Sequence, residues 1–359
     1  MNIIQTTLRE FFKFLHTHRK KFIILIVSFA LGLMLLGSVF SYVDIKQIPK
    51  IIMSFNVWKF LLYLLLPLCA FSIGTFRWST ILKAYGFKVK FLTLLRYLLT
   101  GFGFSYLTPA NEAGGAPLRA YMLKNQKIPF DKGLVTVLVD DFMIIFMELV
   151  LAGIGVIFFI IHIGGLSHKL SWLMGLVALF FIGLLVAAYV RLMKGKPIFS
   201  PLLNLFGAKR FKKIQETQKK IVEFESSFIS FFNEKKKALE KIFIITLFDN
   251  FVSVVETGVL LHLLGLFNGW GNVFLIRMII NVTGLLPVPA RLGVTDWSSA
   301  GFFATTDSGK AAGVVFSLIF RAKNLVFAFL GVGFFCYEWI RNLRITQKLT
   351  DFVKEKMSV

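Results

Sequence analysis

Residues 100–119 read TGFGFSYLTPANEAGGAPLR. Most of the segment is apolar, but Pro109 and Pro117 interrupt it around a Gly-Gly pair, and Glu112 and Arg119 place charge in it. A regular helix cannot cross lipid through such a break, because the backbone groups freed by proline and glycine find no hydrogen-bond partners in hydrocarbon. Breaks of this kind persist at membrane depth only beside protein or a water-filled cavity. We therefore predict a re-entrant element that borders a polar cavity.

A second broken segment lies in the other half of the chain, where residues 281–296 read NVTGLLPVPARLGVTD. Pro287 and Pro289 interrupt it, and Arg291 and Asp296 carry charge. Two interrupted hydrophobic segments at corresponding positions in the two halves of a chain typically form the substrate site of a transporter. The pair therefore predicts a transport function.

Composition indicates the class of protein independently of these segments. Hydrophobic residues make up 56% of the chain, the mean hydropathy is +0.73, and there are 42 phenylalanines. These values lie far outside the range of soluble domains. Because a membrane helix needs about 20 apolar residues, we predict an all-α, polytopic membrane protein with two re-entrant elements and six full transmembrane helices. The predicted helices cover Phe22–Val43, Val57–Leu82, Leu134–Ile163, Leu170–Leu192, Ile242–Phe267 and Ala311–Trp339.

The formal net charge of +22 comes from basic residues concentrated in a few regions outside the apolar segments. This distribution indicates how the chain is oriented in the membrane, so we expect no nucleic-acid partner. Loops rich in Lys and Arg stay on the cytoplasmic side of a membrane. The rule places both termini in the cytoplasm, opens the first broken segment from the cytoplasm, and opens the second from the outer side. Opposite entry of two similar elements is what an inverted repeat would produce. The basic regions are residues 9–21, 83–90, 194–241 and 341–356.

We treat residues 1–359 as a single integral membrane domain. Its cytoplasmic parts are a basic amino terminus at 1–21, a basic amphipathic segment at 193–241 and a tail at 340–359. Apolar residues recur at helical spacing in the amphipathic segment, which suggests a helix lying on anionic lipids of the inner leaflet. Such a helix would either hold lipid headgroups near an entrance or simply anchor the protein.

Ionisable residues also occur inside the predicted helices, where each costs a few kcal/mol unless it faces protein or water. Asp141 and Glu148 share a helix face, and Asp249 and Glu256 repeat that spacing. Acids and bases are both present, so these residues could form internal ion pairs or could line a polar path through the bundle. The other members of the set are Arg77, Asp140, Arg277, Asn281, Arg321 and Asn324.

These residues resemble a known family, the flippase-like transmembrane region of lysylphosphatidylglycerol synthases and its stand-alone bacterial and archaeal relatives. The resemblance covers most of the chain and implies a membrane protein that moves a lipid with a polar headgroup between leaflets. The synthases carry a cytoplasmic acyltransferase domain with no counterpart here, so lysyl transfer is not expected. The resemblance to this family rests on the following motifs: Arg77-Trp78, Leu107-Thr108-Pro109, Gly114-Gly115 with Pro117 and Arg119-Ala120-Tyr121, Pro287-Val288-Pro289, Leu292-Gly293-Val294, Asp296 and Arg321.

The chain departs from the family pattern in both broken segments. Family members usually have an acid where this chain has Ala116, and glycines where it has Ala290 and Arg291. Asp296 replaces the common glutamate. The headgroup could therefore be aminoacyl-phosphatidylglycerol, another phospholipid or an isoprenoid-linked glycolipid.

We expect a substrate site without catalytic residues, cofactor or metal ion, in a bacterial or archaeal cytoplasmic membrane. Helix starts near Pro117 and Thr295 would aim backbone N–H groups at a phosphate, arginines would bind it in bidentate fashion, and carboxylates would hold a cationic group or protons. Two alternatives remain, an intramembrane lipid-modifying transferase and a non-transporting regulator of envelope lipid enzymes. The predicted substrate-binding residues are Arg77, Glu112, Gly114, Gly115, Arg119, Asp140, Glu256, Arg291, Gly293, Asp296 and Arg321.

Overall fold

The structure is a computed structural model that describes residues 57–108, 112–163, 225–284 and 288–357, with Leu286 and scattered residues within 30–41 and 179–197. All regular secondary structure in these residues is helical. The helices are α1 Val57–Tyr63, α2 Leu65–Ala84, α3 Phe91–Leu107, α4 Glu112–Met122, α5 Phe130–Ile163, α6 Lys236–Leu263, α7 Trp270–Gly284, α8 Val294–Phe303 and α9 Gly309–Met357, with 3-10 turns at Leu123–Gln126 and Pro289–Arg291.

Within the described residues, four helical stretches are long and apolar enough to cross a membrane, which confirms an all-α, polytopic membrane protein. They are Trp58–Ala84, Phe130–Ile160, Lys236–Leu263 and Gly309–Arg341, and each matches a predicted transmembrane helix. The other two predicted helices, Phe22–Val43 and Leu170–Leu192, fall largely outside the described residues.

The first broken segment forms a helical hairpin of α3 and α4, called hairpin 1 below. The two helices have 17 and 11 residues, so neither reaches the roughly 20 residues that a full crossing needs. They lie against each other where the backbone N–H of Gly115 donates to Oγ of Ser105 at 3.0 Å. A Cβ atom at Gly115 would overlap the carbonyl of Gly101, so this glycine pair permits the close packing. Helix α4 begins earlier than the sequence suggested, and Pro117 lies inside it.

The second broken segment forms hairpin 2, which consists of α7, the 3-10 turn and α8. Its helices have 15 and 10 residues, again too short to span lipid. The turn uses left-handed backbone at Ala290 (φ 50°) and Arg291 (φ 54°), followed by Gly293 (φ 73°). Three residues of positive φ in this short stretch reverse the chain, as the prolines and glycine predicted.

Helix α9 packs against both hairpins in succession. Gly313, near its start, lies against the carbonyl of Ser299 in α8, whereas Gly331 lies against the carbonyl of Leu99 in α3. Both α8 and α3 run antiparallel to α9. Helix α8 therefore packs along the first part of α9, and α3 packs along the part that follows. The hairpins therefore approach from opposite ends of the bundle, the arrangement that the inverted-repeat prediction requires; the repeat itself stays a prediction.

The tips of the hairpins meet in the interior. Tyr106, in the last turn of α3, donates from its hydroxyl to the carbonyl oxygen of Ala290 in the 3-10 turn at 3.3 Å. Around this point α2, α5, α6 and α9 complete the bundle, since each contributes side chains to one cavity beside the tips.

Residues 225–234, which belong to the described part of the predicted amphipathic segment, are helical. Its phenylalanines Phe228, Phe231 and Phe232 are buried in a cluster with Ile81 of α2 and Met143 of α5. The apolar face of these residues therefore packs on the rest of the protein, and not on the lipid surface that the sequence had suggested. Most of the predicted segment lies outside the described residues.

We expect Gly331→Ala to destabilise the protein by about 1–3 kcal/mol, as overpacking of a tight interface does. The added Cβ would overlap the carbonyl of Leu99, and backbone atoms can move aside only by separating α3 from α9. Gly333→Ala is the matched control, since its Cβ would meet nothing within 4 Å. Thermal unfolding in detergent measures both variants. Equal melting temperatures for the two would contradict the packing described above.

Candidate functional site

A cavity of about 220 Å³ lies where the hairpin tips meet. Tyr106 of hairpin 1 and Arg291 of hairpin 2 both line it, together with residues of α2, α4, α5, α6, α7 and α9. Its volume exceeds that of the roughly 150 Å³ cavity known to hold a benzene molecule. The lining combines apolar and aromatic side chains with an unusual number of charged ones.

Arg77 forms the first part of the charged lining. It lies in the second half of α2, two turns before the helix ends, and donates from Nε to Oδ1 of Asp140 at 2.7 Å and from Nη1 to Oδ2 of Asp249 at 2.6 Å. These bonds join α2 to α5 and to α6. The sequence placed Arg77 near a helix end, but its side chain is buried among these carboxylates.

Arg119 extends this network from hairpin 1. It occupies the last turn of α4 and donates from Nη2 to Oδ2 of Asp140 at 2.6 Å and from Nη1 to Oδ1 of Asp141 at 2.8 Å. Its guanidinium carbon lies 4.4 Å from the centre of the Trp78 ring, a cation–π distance. Asp140 is fully buried and bridges two arginines, so it links hairpin 1 to the transmembrane helices.

An ion pair separate from this network lies on another wall of the cavity. Lys323 of α9 donates from Nζ to Oε1 of Glu256 at 2.5 Å, and the hydroxyl of Tyr63 donates to the same oxygen at 2.8 Å. The lysine nitrogen also lies 4.1 Å from the centre of the Phe320 ring. Lys323 was not singled out in the sequence, although an ionisable residue inside an apolar helix is itself a signal of function.

Arg277 and Arg291 differ from the other cations of the lining. Within the described part of the chain Arg277 has no hydrogen bond or ion pair, and Arg291 has only a 3.4 Å contact from Nη1 to the carbonyl of Ile280. The Nε atoms of both are buried without an acceptor among those residues. Both arginines belong to hairpin 2, and neither guanidinium forms an ion pair with a described carboxylate, although Arg277 lies near enough to Glu256 and Asp249 to interact with them electrostatically.

Asp296 and Arg321 form a separate buried group. Asp296 accepts from Arg321 Nη2, from the Ser317 hydroxyl at 2.6 Å and from the backbone N–H of Gly293 at 2.9 Å. The carboxylate thus caps the start of α8, where the sequence had suggested free N–H groups for a phosphate. Three predicted site residues belong to this group, and they lie outside the cavity lining: Gly293, Asp296 and Arg321. Their role in substrate binding stays a prediction.

The remaining predicted site residues divide into two groups. Arg77, Arg119, Asp140, Glu256 and Arg291 line the one cavity, although up to 214 residues separate them in sequence. Gly114 and Gly115 lie in the first turns of α4 within hairpin 1, and the side chain of Glu112 lies outside the described set. Asp141, Asp249 and Arg277 belong to the lining and had been noticed only as intramembrane charges.

The balance of charge determines what this cavity can hold. Among the described residues, five cations and four carboxylates line it, and their formal charges sum to +1. Three of the cations pair with all four acids, and the remaining two, Arg277 and Arg291, leave one wall positive. An anionic group, or a zwitterion oriented with its anion toward hairpin 2, would complement that wall.

The bundle and its central cavity define a polytopic integral membrane protein with a polar interior. This chain belongs to the family described as the lysylphosphatidylglycerol synthase TM region, whose sequence profile matches residues 25–331. It is also 28% identical over 131 residues to a UPF0104 membrane protein of Methanothermobacter thermautotrophicus. That match covers 36% of this chain and 39% of the relative.

Proposed function

We propose that this protein is a lipid translocase that takes the polar headgroup of a membrane lipid into the cavity between the hairpin tips. The observation that carries the proposal is the cavity itself: five cations and four carboxylates surround about 220 Å³ of space inside a bundle of apolar helices. Buried charge is expensive in a membrane and is characteristic of substrate pathways. Membership of the family supports the same function.

The hairpins suggest how a headgroup would cross. Each enters from one end of the bundle and stops at the cavity, so each separates the cavity from one side of the membrane. The described contact between the tips is the hydrogen bond from Tyr106 to the carbonyl of Ala290. Displacement of one hairpin would open the cavity to one leaflet while the other hairpin keeps it closed, as alternating access requires.

The proposed substrate is a lipid with an anionic or zwitterionic headgroup. The proposed location is a bacterial or archaeal membrane, and the positive-inside rule supports cytoplasmic termini there. Hairpin 1 then faces the cytoplasm and hairpin 2 the outer side. Basic residues in the 194–241 region would attract anionic inner-leaflet lipids toward the protein.

Translocation of a headgroup-labelled phospholipid in proteoliposomes tests this function. We expect wild-type protein to move the label to the opposite leaflet faster than protein-free liposomes do, and Ser253→Phe to reduce that rate about tenfold or more. Ser253 lines the cavity, so the new ring fills space there without removing a charge. The measurement is the time course of chemical quenching of the outer-leaflet label.

Ser72→Phe is the matched control. Ser72 is outside the cavity lining and its hydroxyl bonds to the carbonyl of Leu68 in its own helix, so this variant is expected to translocate at the wild-type rate. No difference between wild-type proteoliposomes and protein-free liposomes would contradict the proposal and favour a regulatory role.

A further inference from the structure

Buried donors without an acceptor concentrate on and beside hairpin 2. Within the described residues seven buried side-chain atoms lack a hydrogen-bond partner, and five of them belong to hairpin 2. Burying a donor without an acceptor is costly, so such a cluster indicates that acceptors are supplied from elsewhere. The five are Nε of Arg277, Nδ2 of Asn281, Nε of Arg291, Oγ1 of Thr295 and Oγ of Ser299.

Arg277 and Arg291 are the members of this cluster that line the cavity. Residues 277, 281 and 284 follow the spacing of one face of α7, and the Arg291 guanidinium lies over Gly284 at the end of that face, so close that a Cβ there would come within 2.6 Å of Nη2. Gly284 lies seven residues after Arg277, about 10 Å along the axis of α7 at 1.5 Å per residue, so the Arg291 guanidinium lies on the same wall of the cavity, two turns farther along the helix than the backbone of Arg277.

The backbone at Arg291 is unfavourable for any residue with a side chain. Ala290 and Arg291 both adopt left-handed conformation, with φ of 50° and 54°, a region that side-chain sterics make costly. Strain of this kind persists where the surroundings enforce it and often marks a functional site. Glycine would relieve the strain but would remove the guanidinium from the cavity wall.

We infer that Arg277 and Arg291 form an oxyanion clamp that binds the phosphodiester group of the translocated lipid. The inference rests on the proposed function for the identity of the ligand as a lipid. A phosphate oxygen accepts from guanidinium donors in bidentate geometry, and it supplies the acceptors that the described residues do not. The paired arginines, Arg77 and Arg119, already donate to carboxylates and hold the cavity walls together.

Calorimetric titration of the detergent-purified protein tests the clamp with three probes: dihexanoyl-phosphatidylglycerol, dihexanoylglycerol and inorganic phosphate. We expect the phospholipid to bind wild type, and to bind Arg277→Gln and Arg291→Gln at least tenfold more weakly. Arg277→Lys, which keeps a charge but loses the planar donor pair, should show an intermediate affinity. Because no described carboxylate pairs with either arginine, these variants leave no acid unpaired and should fold, as a thermal melt will check.

Arg341→Gln is the control. The Arg341 side chain is exposed, and its ion pair with Glu338, three residues earlier, is long at 3.8 Å. This variant should bind the phospholipid as wild type does. Equal phospholipid affinity in wild type and both glutamine variants would overturn the clamp while leaving translocation untouched. Binding of dihexanoylglycerol as tight as that of the phospholipid would also overturn it. If inorganic phosphate binds with the expected arginine dependence but the phospholipid does not, the clamp stands and the lipid function fails.

Discussion

Asp140→Asn is expected to lower the free energy of unfolding by about 3–5 kcal/mol, the cost typical of breaking a buried charge network. Asp140 accepts from Arg77 at 2.7 Å and from Arg119 at 2.6 Å and is fully buried. The amide is isosteric but carries no charge, so two buried guanidinium groups would share less negative charge in a medium that solvates them poorly. Denaturant titration in detergent micelles measures the change.

Asp131→Asn provides a control on the same helix. Asp131 lies exposed in the first turn of α5, where its carboxylate interacts with the helix dipole for about 0.3–1 kcal/mol. If Asp140→Asn changes stability no more than this control does, the network does not hold hairpin 1 against α2 and α5. Translocation alone would then be the property to examine in that variant.

Arg291→Gly is expected to reduce translocation about tenfold or more while leaving stability within about 1 kcal/mol of wild type. Loss of a charge-assisted hydrogen bond costs about 1.5–3 kcal/mol, which corresponds to at least tenfold. Glycine relieves left-handed strain of about 1–2 kcal/mol, and its greater unfolded-state freedom offsets about 0.4–1 kcal/mol of that gain. The proteoliposome assay and a denaturant titration measure the two quantities separately.

Lys127→Gly makes the same conformational change away from the cavity. Lys127 is exposed and left-handed, with φ of 61°, so glycine relieves comparable strain there without touching the site. This variant should translocate at the wild-type rate. If Arg291→Gly also translocates normally, Arg291 is only a component of the turn and not of the substrate path.

The sequence allowed the class and the two breaks to be predicted because these depend on local features. Apolar length defines a membrane helix, and proline and glycine interrupt it whatever surrounds them. Four of the six predicted transmembrane helices match observed ones within a few residues. The start of α4 was missed because Pro117 resembled a helix start, although the chain is helical from Glu112 onward.

The pairing of the intramembrane charges could not be predicted in the same way. Arg77 contacts Asp140 across 63 residues and Asp249 across 172, so both pairs depend on how the helices pack. Ion pairing and a polar path were left as alternatives; the structure shows ion pairs, and a polar path stays a prediction. Arg77 and Arg119 each form ion pairs with two carboxylates, whereas Arg277 and Arg291 line the same cavity without an ion pair among the described residues.

Asp296 illustrates the same limit within a single motif. The residue was predicted to bind substrate because it follows the second break and carries charge. In the structure its carboxylate caps α8 through Gly293 and pairs with Arg321 of α9. This arrangement fixes the tip of hairpin 2 to the long helix, and it depends on a contact between residues that sequence spacing does not reveal.

The proposed function requires a lipid headgroup to occupy the cavity where the two hairpin tips meet. Photo-crosslinking in membranes with a phospholipid that carries a diazirine in its headgroup, followed by peptide mass spectrometry, shows which residues the headgroup contacts. We expect adducts on cavity-lining peptides of both hairpins, around Tyr106 and Arg277, that diminish with excess unlabelled phospholipid and in Ser253→Phe. Adducts confined to lipid-facing residues such as Phe251 and Phe329, with equal yield in Ser253→Phe, would contradict it.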